Sequence, residues 1–251
     1  MGTDPLAAGE LRVRRSPCAE SGTRPQPRTC SPARATVARP APAPILLTDP
    51  PAYAIAKRGL DIVVSALMLL VTCPILLVIA LLIKLDSPGP TIFVQERLGR
   101  GLRPFRFYKF RTMRLDAQRT HPGLYAFEFD PDRLDRAFLV VRDDPRVTRV
   151  GRPLRRFSLD ELPNLVNVLR GEISLVGPRP EIPQMLPYYE TTLKFSVPPG
   201  VTGLAQVGGR GKLSFLETVR LDEQYVFHRS FGYDLRILCA TLLRISTGTN
   251  Y

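Results

Sequence analysis

Between Ile62 and Ile83 the chain is almost wholly apolar, with Ser65 and Thr72 as the only polar side chains. A run of about 20 apolar residues matches the hydrocarbon thickness of a bilayer. A soluble helix rarely stays apolar on every face for that length. The run therefore predicts a membrane helix. Pro74 falls in its middle, after Cys73. Proline removes a main-chain donor and clashes with the preceding turn, so a break is expected at Cys73-Pro74. Both flanks are basic: Lys57 and Arg58 precede the run, and Lys84, Arg97, Arg100, Arg103 and Arg106 follow it. Positive residues tend to stay on the cytoplasmic side. Charge on both flanks favours a re-entrant helix, entering and leaving on one face, over a full span.

The rest of the chain arranges itself around that helix. Residues 1–51 are rich in Pro, Ala, Arg and Ser and have almost no apolar periodicity, which predicts a disordered tail. No apolar run follows its basic residues closely enough for a signal peptide. Residues 52–86 form the membrane helix, and 87–251 a cytoplasmic domain. Ser87-Pro88-Gly89-Pro90 stops the helix. Alternating apolar and polar residues around Gly99-Arg100-Gly101 then predict a β-hairpin, with strands near 91–97 and 104–110. Residues 116–141 read as an insertion. A short helix is expected over 162–170, closed by Gly171. Ser214 and Glu217 have capping-box spacing and open a helix toward residue 228. Residues 235–245 form an amphipathic helix on the core or on the membrane surface. The fold class is α+β and mostly helical.

The net charge of +12 directs the chain toward polyanions: nucleic acid, anionic lipid or phosphorylated substrates. Its cations are mostly Arg, whose planar fork suits phosphate. The four cysteines, Cys18, Cys30, Cys73 and Cys239, contain no CxxC pair and read as reduced thiols. With only His121 and His228 and no Cys/His cluster, a structural zinc site is not expected.

The densest chemistry lies in RRFSLDELPNLVNVLRGEISLVGPRP, residues 155–180. Asp160 and Glu161 sit at a helix start, where the dipole is positive. Ser158 has N-cap spacing to Glu161, but Pro163 objects to that register, so the helix starts either there or at Asp160. Two adjacent acids alone usually mean a solvated helix end. Here Arg152, Arg155 and Arg156 precede them, and Arg179 follows between two prolines. Nearby Arg keeps a carboxylate ionised. A carboxylate is a competent nucleophile toward phosphorus, and Arg or Mg²⁺ stabilises the charge of a transferring phosphoryl group. Lys109 and Arg111, at the end of the second hairpin strand, supply either a lipid-facing basic patch or a substrate patch.

Taken in order, KRGLDIVVS, SPGPTIFVQERLGR, FRFYKFRTM, DDPRVTRVGRPLRRFSLDELPNLVNVLRGEISLVGPRP, PGVTGLAQVGGR, LDEQYV and SFGYDL resemble the monotopic phosphoglycosyl transferases, also called bacterial sugar transferases. The resemblance runs from about Lys57 to Ser246. It implies transfer of a sugar phosphate from a nucleotide sugar, such as a UDP-sugar, to polyprenyl (undecaprenyl) phosphate, the first membrane step of exopolysaccharide or glycan synthesis. Asp160 would be the nucleophile, forming a phospho-sugar intermediate and releasing UMP. Glu161 would help hold Mg²⁺. Lys109, Arg111, Arg155 and Arg179 would bind phosphates. The helix break would fall at Cys73-Pro74. The implied setting is the cytoplasmic face of a bacterial inner membrane, on anionic lipid, with a homo-oligomer as a possible state and no nucleic-acid partner. The chain departs from the family pattern at Pro198, Leu204 and Gly208, which leaves the sugar open. It looks like a short form, without the extra membrane helices of longer members. Two other classes are a membrane-anchored nucleic-acid binder and an inactive scaffold for polysaccharide assembly. The Asp160-Glu161 dyad and the scarcity of aromatics among the basic residues weigh against the first, and the dyad against the second.

Overall fold

The computed structural model describes residues 43–122, 134, 144–209 and 213–247. Most of the expected disordered tail and most of the expected insertion lie outside the described residues. The helix α1 spans Pro51–Asp86. Its 36 residues would measure about 54 Å at 1.5 Å per residue. α1 stays helical through Pro74, with no interruption at Cys73-Pro74. Thr72 folds its hydroxyl onto the Met68 carbonyl in the preceding turn.

α1 is held to the rest of the domain at both ends. Near its start, Lys57 donates to Asp234 at 2.7 Å and to the Val176 carbonyl at 2.9 Å. Arg58 donates to the carbonyls of Val168 and Leu169, and buried Asp61 accepts from Ser174 Oγ and the Leu175 amide. Near its end, Ile79 and Ile83 pack with Phe110 and Leu154. Arg111 closes the helix by donating to the carbonyls of Ile83, Ser87 and Pro88. A cation at a helix C-terminus meets the negative end of its dipole. Between these anchorages Val63, Leu67, Leu70, Val71, Ile75, Leu77 and Val78 are exposed.

After α1 comes the hairpin, β1 (Ile92–Leu98) and β2 (Pro104–Phe110), antiparallel with Phe93 opposite Lys109 and Arg97 opposite Phe105. Both strands fall within a residue of their expected bounds. A one-turn helix α2 (Ala117–Thr120) precedes α3 (Gly151–Arg156). A 3₁₀ helix, Leu159–Asn164, carries the two acids and runs into α4 (Leu165–Arg170). Gly171 ends α4 at φ 80°, the left-handed conformation that favours glycine.

β3 (Ser174–Val176) and β4 (Gly200–Thr202) form a short parallel pair. A Cβ on Gly200 would stand 2.1 Å from the Gly177 amide nitrogen, so the two backbones require glycine there. The chain closes with α5 (Leu204–Gly209), α6 (Phe215–His228) and α7 (Phe231–Thr247). Ser214 and Glu217 make the reciprocal capping box expected of them. The main core joins Phe105 and Phe107 of the hairpin to Leu165 and Val168 of α4, Val176 of β3, and Tyr225, Val226 and Ile237 of α6 and α7. α7 turns Ile237 inward but leaves Phe231, Leu235, Leu242 and Leu243 exposed.

Residues 43–50 run along this domain. The Ile45 amide donates to Thr192 Oγ1, which donates to the Ala43 carbonyl. Arg100 donates to the Leu47 carbonyl, and Asp49 pairs with Arg229 at 2.6 Å.

Candidate functional site

A cleft opens where five separated stretches meet. Its wall comprises Arg97 from β1, Phe107 and Lys109 from β2, Glu161 from the 3₁₀ helix, and the loop of Arg179 and Pro180. Gly200, Val201 and Gln206 complete it. Lys109 Nζ meets Glu161 Oε1 at 2.8 Å and lies 5.1 Å from the Phe107 ring centroid. Arg97 lies over the same ring at 5.6 Å. The ring thus spaces two cations on one side of the cleft.

Strand alternation explains part of this. Phe107 and Lys109 are two residues apart on β2 and project to the same face. The 3₁₀ helix packs against that strand and brings Glu161 to Lys109. Asp160, beside Glu161 in the chain, is 6% exposed. The expected Ser158 cap is not formed: Ser158 takes a left-handed φ of 56° and its side chain makes no capping bond. A left-handed Ser158 turns the chain sharply after α3, and the helix enters as 3₁₀. That tighter winding accommodates Pro163.

Burial lowers the Arg97 guanidinium to about 10, with Glu181 opposing that shift and Arg179 adding to it. At neutral pH it remains a cation. With Lys109 and Arg179 it gives the cleft three positive side chains against the one carboxylate of its wall, Glu161. Such a wall suits an anion carrying more than one charge.

The model of the bacterial sugar transferase family matches residues 52–248, most of the chain. The chain belongs to the bacterial sugar transferase family. Among its relatives is the UDP-glucose:undecaprenyl-phosphate glucose-1-phosphate transferase of Caulobacter vibrioides, 43% identical over 204 residues, which are 77% of this chain and 71% of that one. The exopolysaccharide production protein ExoY of Rhizobium meliloti is 38% identical over 196 residues, 76% of this chain and 86% of that one. The galactosyl transferase CpsE of Streptococcus agalactiae is 40% identical over 200 residues, 78% of this chain but only 43% of that one. The chain thus spans less than half the length of CpsE.

Within this sugar transferase domain the four cations singled out in the sequence part company. Lys109 and Arg179 line the cleft. Arg111 and Arg155 do not. Arg111 is 4% exposed and its bonds go to the end of α1. Arg155 donates to Thr112 Oγ1 at 3.0 Å and approaches Asp144 at 3.7 Å. Arg97 and Gln206 line the cleft, and sequence reasoning missed both as site residues. Arg97 had a usable signal, since it shares the hairpin with Lys109. Gln206 had none beyond its place in the TGLAQV block. Of the departures from the family pattern, Leu204 packs against the main core and Gly208 lies against Leu221.

Among the described residues no group of three or more His, Cys, Asp or Glu side chains is placed to hold a metal. Mg²⁺ asks for less, since it commonly takes one or two carboxylates and completes its shell with water and substrate phosphate. The adjacent Asp160 and Glu161, beside a cationic cleft, fit that donor set.

Proposed function

We propose that this domain transfers a sugar phosphate from a nucleoside diphosphate sugar to a polyprenyl phosphate at a membrane surface. The observation that carries this reading is the cleft itself. It gathers Lys109, Glu161, Arg179 and Arg97 from four stretches of chain, next to the buried Asp160, in a member of the sugar transferase family. The Caulobacter relative is named for a UDP-glucose donor and an undecaprenyl-phosphate acceptor.

In the first step an Asp160 carboxylate oxygen attacks the phosphorus that bears the sugar. A bond forms between that oxygen and phosphorus. The bond from phosphorus to the bridging oxygen breaks, and its electron pair leaves with the nucleoside monophosphate, UMP for a UDP-sugar. Lys109 and Arg179 offset the charge on the diphosphate. In the second step an oxygen of the lipid phosphate attacks the same phosphorus and Asp160 returns as a carboxylate. Glu161, with Asp160, would hold Mg²⁺. When bound, that ion neutralises phosphate charge. Lys109 keeps Glu161 fixed between turnovers.

The acceptor is a lipid, and the outer surface suits one. α1 is long and apolar enough to cross a membrane, yet the same domain holds both of its ends. From Asp61 to Ile83 is about 33 Å at 1.5 Å per residue, close to a hydrocarbon core of about 30 Å. A straight crossing would drag the polar groups between those anchorages into hydrocarbon. An apolar middle dipping into one leaflet, with both ends at one face, avoids that cost, and Pro74 provides a place to bend. The exposed apolar residues of α7 extend the same kind of surface.

The test is mass spectrometry of protein quenched during turnover with UDP-glucose and undecaprenyl phosphate, extended to other UDP-sugars. A sugar-phosphate adduct on the Asp160 peptide is expected. An active protein with no adduct there overturns the assignment. Protease access to tags on both termini in sealed vesicles should be equal from one side. Opposite access would mean a full span.

A further inference from the structure

Behind the cleft lies a buried set of charges that the transfer chemistry does not use. Glu181, Lys194 and Asp222 are each 5% exposed or less. Lys194 Nζ stands 2.9 Å from Asp222 Oδ2, 3.7 Å from Glu181 Oε2 and 3.0 Å from the Tyr189 hydroxyl. Tyr189 donates to Glu181 Oε2 at 2.8 Å, and the Ile182 amide donates to Glu181 Oε1 at 3.1 Å. Burying so many charges is costly unless each is paired and bonded. Such a cluster in a domain of this size calls for a role.

What it surrounds is the Arg179 loop. The Arg179 amide donates to Asp222 Oδ1 at 3.4 Å. The Pro180 carbonyl accepts from Arg97 Nη1 at 3.1 Å. The Glu181 carbonyl accepts from the Leu98 amide at 2.8 Å. Three consecutive residues are therefore fastened through their main chain by β1 on one side and α6 on the other. Of these three bonds, the one from Arg97 to Pro180 joins two residues of the cleft wall. Its second amino group is occupied by Gln95 at 2.8 Å, its Nη1 lies 4.0 Å from Glu181, and its buried Nε has no hydrogen-bond partner among the described residues.

We infer that Arg97 is a positioning residue: its fork ties β1 to the Arg179 loop, over a frame of Glu181, Tyr189, Lys194 and Asp222, and so aims Arg179 at the bound diphosphate. A fork is needed, because one cation must reach Pro180 and Gln95 together while facing Glu181. A lysine would keep the charge but supply only a point. The inference rests on the proposed nucleotide-sugar reading, and its test separates the two.

The experiment is a double-mutant cycle on UDP binding, measured by calorimetry on the full chain in lipid nanodiscs. Variants are Arg97→Lys, Arg179→Ala and the pair. Arg97→Lys alone should weaken UDP about 10-fold, with a thermal midpoint close to wild type. Combined with Arg179→Ala it should add little, because the group it aims is gone. Losses that multiply would make Arg97 an independent phosphate ligand and overturn the inference. So would an Arg97→Lys variant that binds UDP like wild type. Should Arg97→Lys fail to fold, Glu181→Gln, which weakens the same tie from the loop side, replaces it in the cycle with the same expectation. If wild type itself does not bind UDP, the nucleotide-donor reading falls, and this inference with it. Non-additivity in a protein lacking the Asp160 adduct would leave the positioning role standing.

Discussion

Two regions of this domain are built from the same materials and do opposite things. In the cleft, Lys109 and Arg179 face an open volume beside Glu161. Around the ends of α1, Lys57, Arg58 and Arg111 face main-chain carbonyls, with Asp234 as the carboxylate paired to Lys57. A cation whose partners are the protein's own carbonyls holds the fold. A cation beside unfilled space holds something that arrives from outside. Residue type does not separate these roles, since Arg occurs in both. Only the partners do.

The sharpest way to break this comparison is Asp160→Asn. The substitution keeps shape and removes the nucleophile. Nucleoside monophosphate release should fall on the order of 10⁴-fold or more, as when an enzyme loses its covalent nucleophile. The thermal midpoint and vesicle association should stay near wild type. Turnover within tenfold of wild type would return Asp160 to the class of structural acids.

Lys57→Met probes the other region. It leaves Asp234, 1% exposed, without its ammonium partner. Breaking a buried pair from one side costs about 3–5 kcal/mol. Urea unfolding should show that loss. Any protein that remains folded should keep its affinity for UDP. Arg179→Ala should do the reverse, weakening UDP binding by about 10- to 100-fold, the worth of one strong charge-assisted contact, while the unfolding midpoint hardly moves. If both variants lose stability and affinity together, the two regions are one unit and the distinction fails.

The contrast also explains how far the sequence could be read. The hairpin was legible to within a residue because its alternation and its Gly-Arg-Gly turn are local signals. The α6 capping box was legible for the same reason. Lys109 and Arg179, which line the cleft, could be singled out in the sequence because each sits on a stiff element beside other charge. Arg111 was not separable from them: it stands two residues from Lys109, yet β2 ends at Phe110 and the chain beyond that end sends Arg111 to α1. Its partners are carbonyls at 83, 87 and 88, which no pattern of residue types announces. Arg97 and the Lys194-Asp222 pair were missed because their meaning depends on contacts across about 80 and 30 residues of chain. The continuation of α1 from an apolar run into anchored ends was half visible, since the run is a composition and the anchorage is a set of distant bonds.

The smallest expected effect concerns Asp144, which pairs with Arg146 and stands near Arg155. Its carboxylate accepts from Arg146 Nε at 2.8 Å and Nη2 at 2.7 Å, and Arg155 stands 3.7 Å away. Burial raises this group, but the hydrogen bonds and charge of Arg146, with that of Arg155, more than offset it, so it ionises below its ordinary 3.8. A carboxyl depressed in the folded state adds stability that is complete above its unfolded value. That stability is lost as pH falls through the folded value. Wild type should therefore exceed Asp144→Asn in thermal midpoint by a constant margin down to about pH 4, and the margin should shrink only below 3.8. Because Arg155 also holds Thr112, just past the end of β2, the variant should leave UDP affinity unchanged if Arg155 belongs with the fold-holding cations. A parallel loss of affinity would move Arg155 back to the cleft side of the comparison, where the sequence pattern had put it.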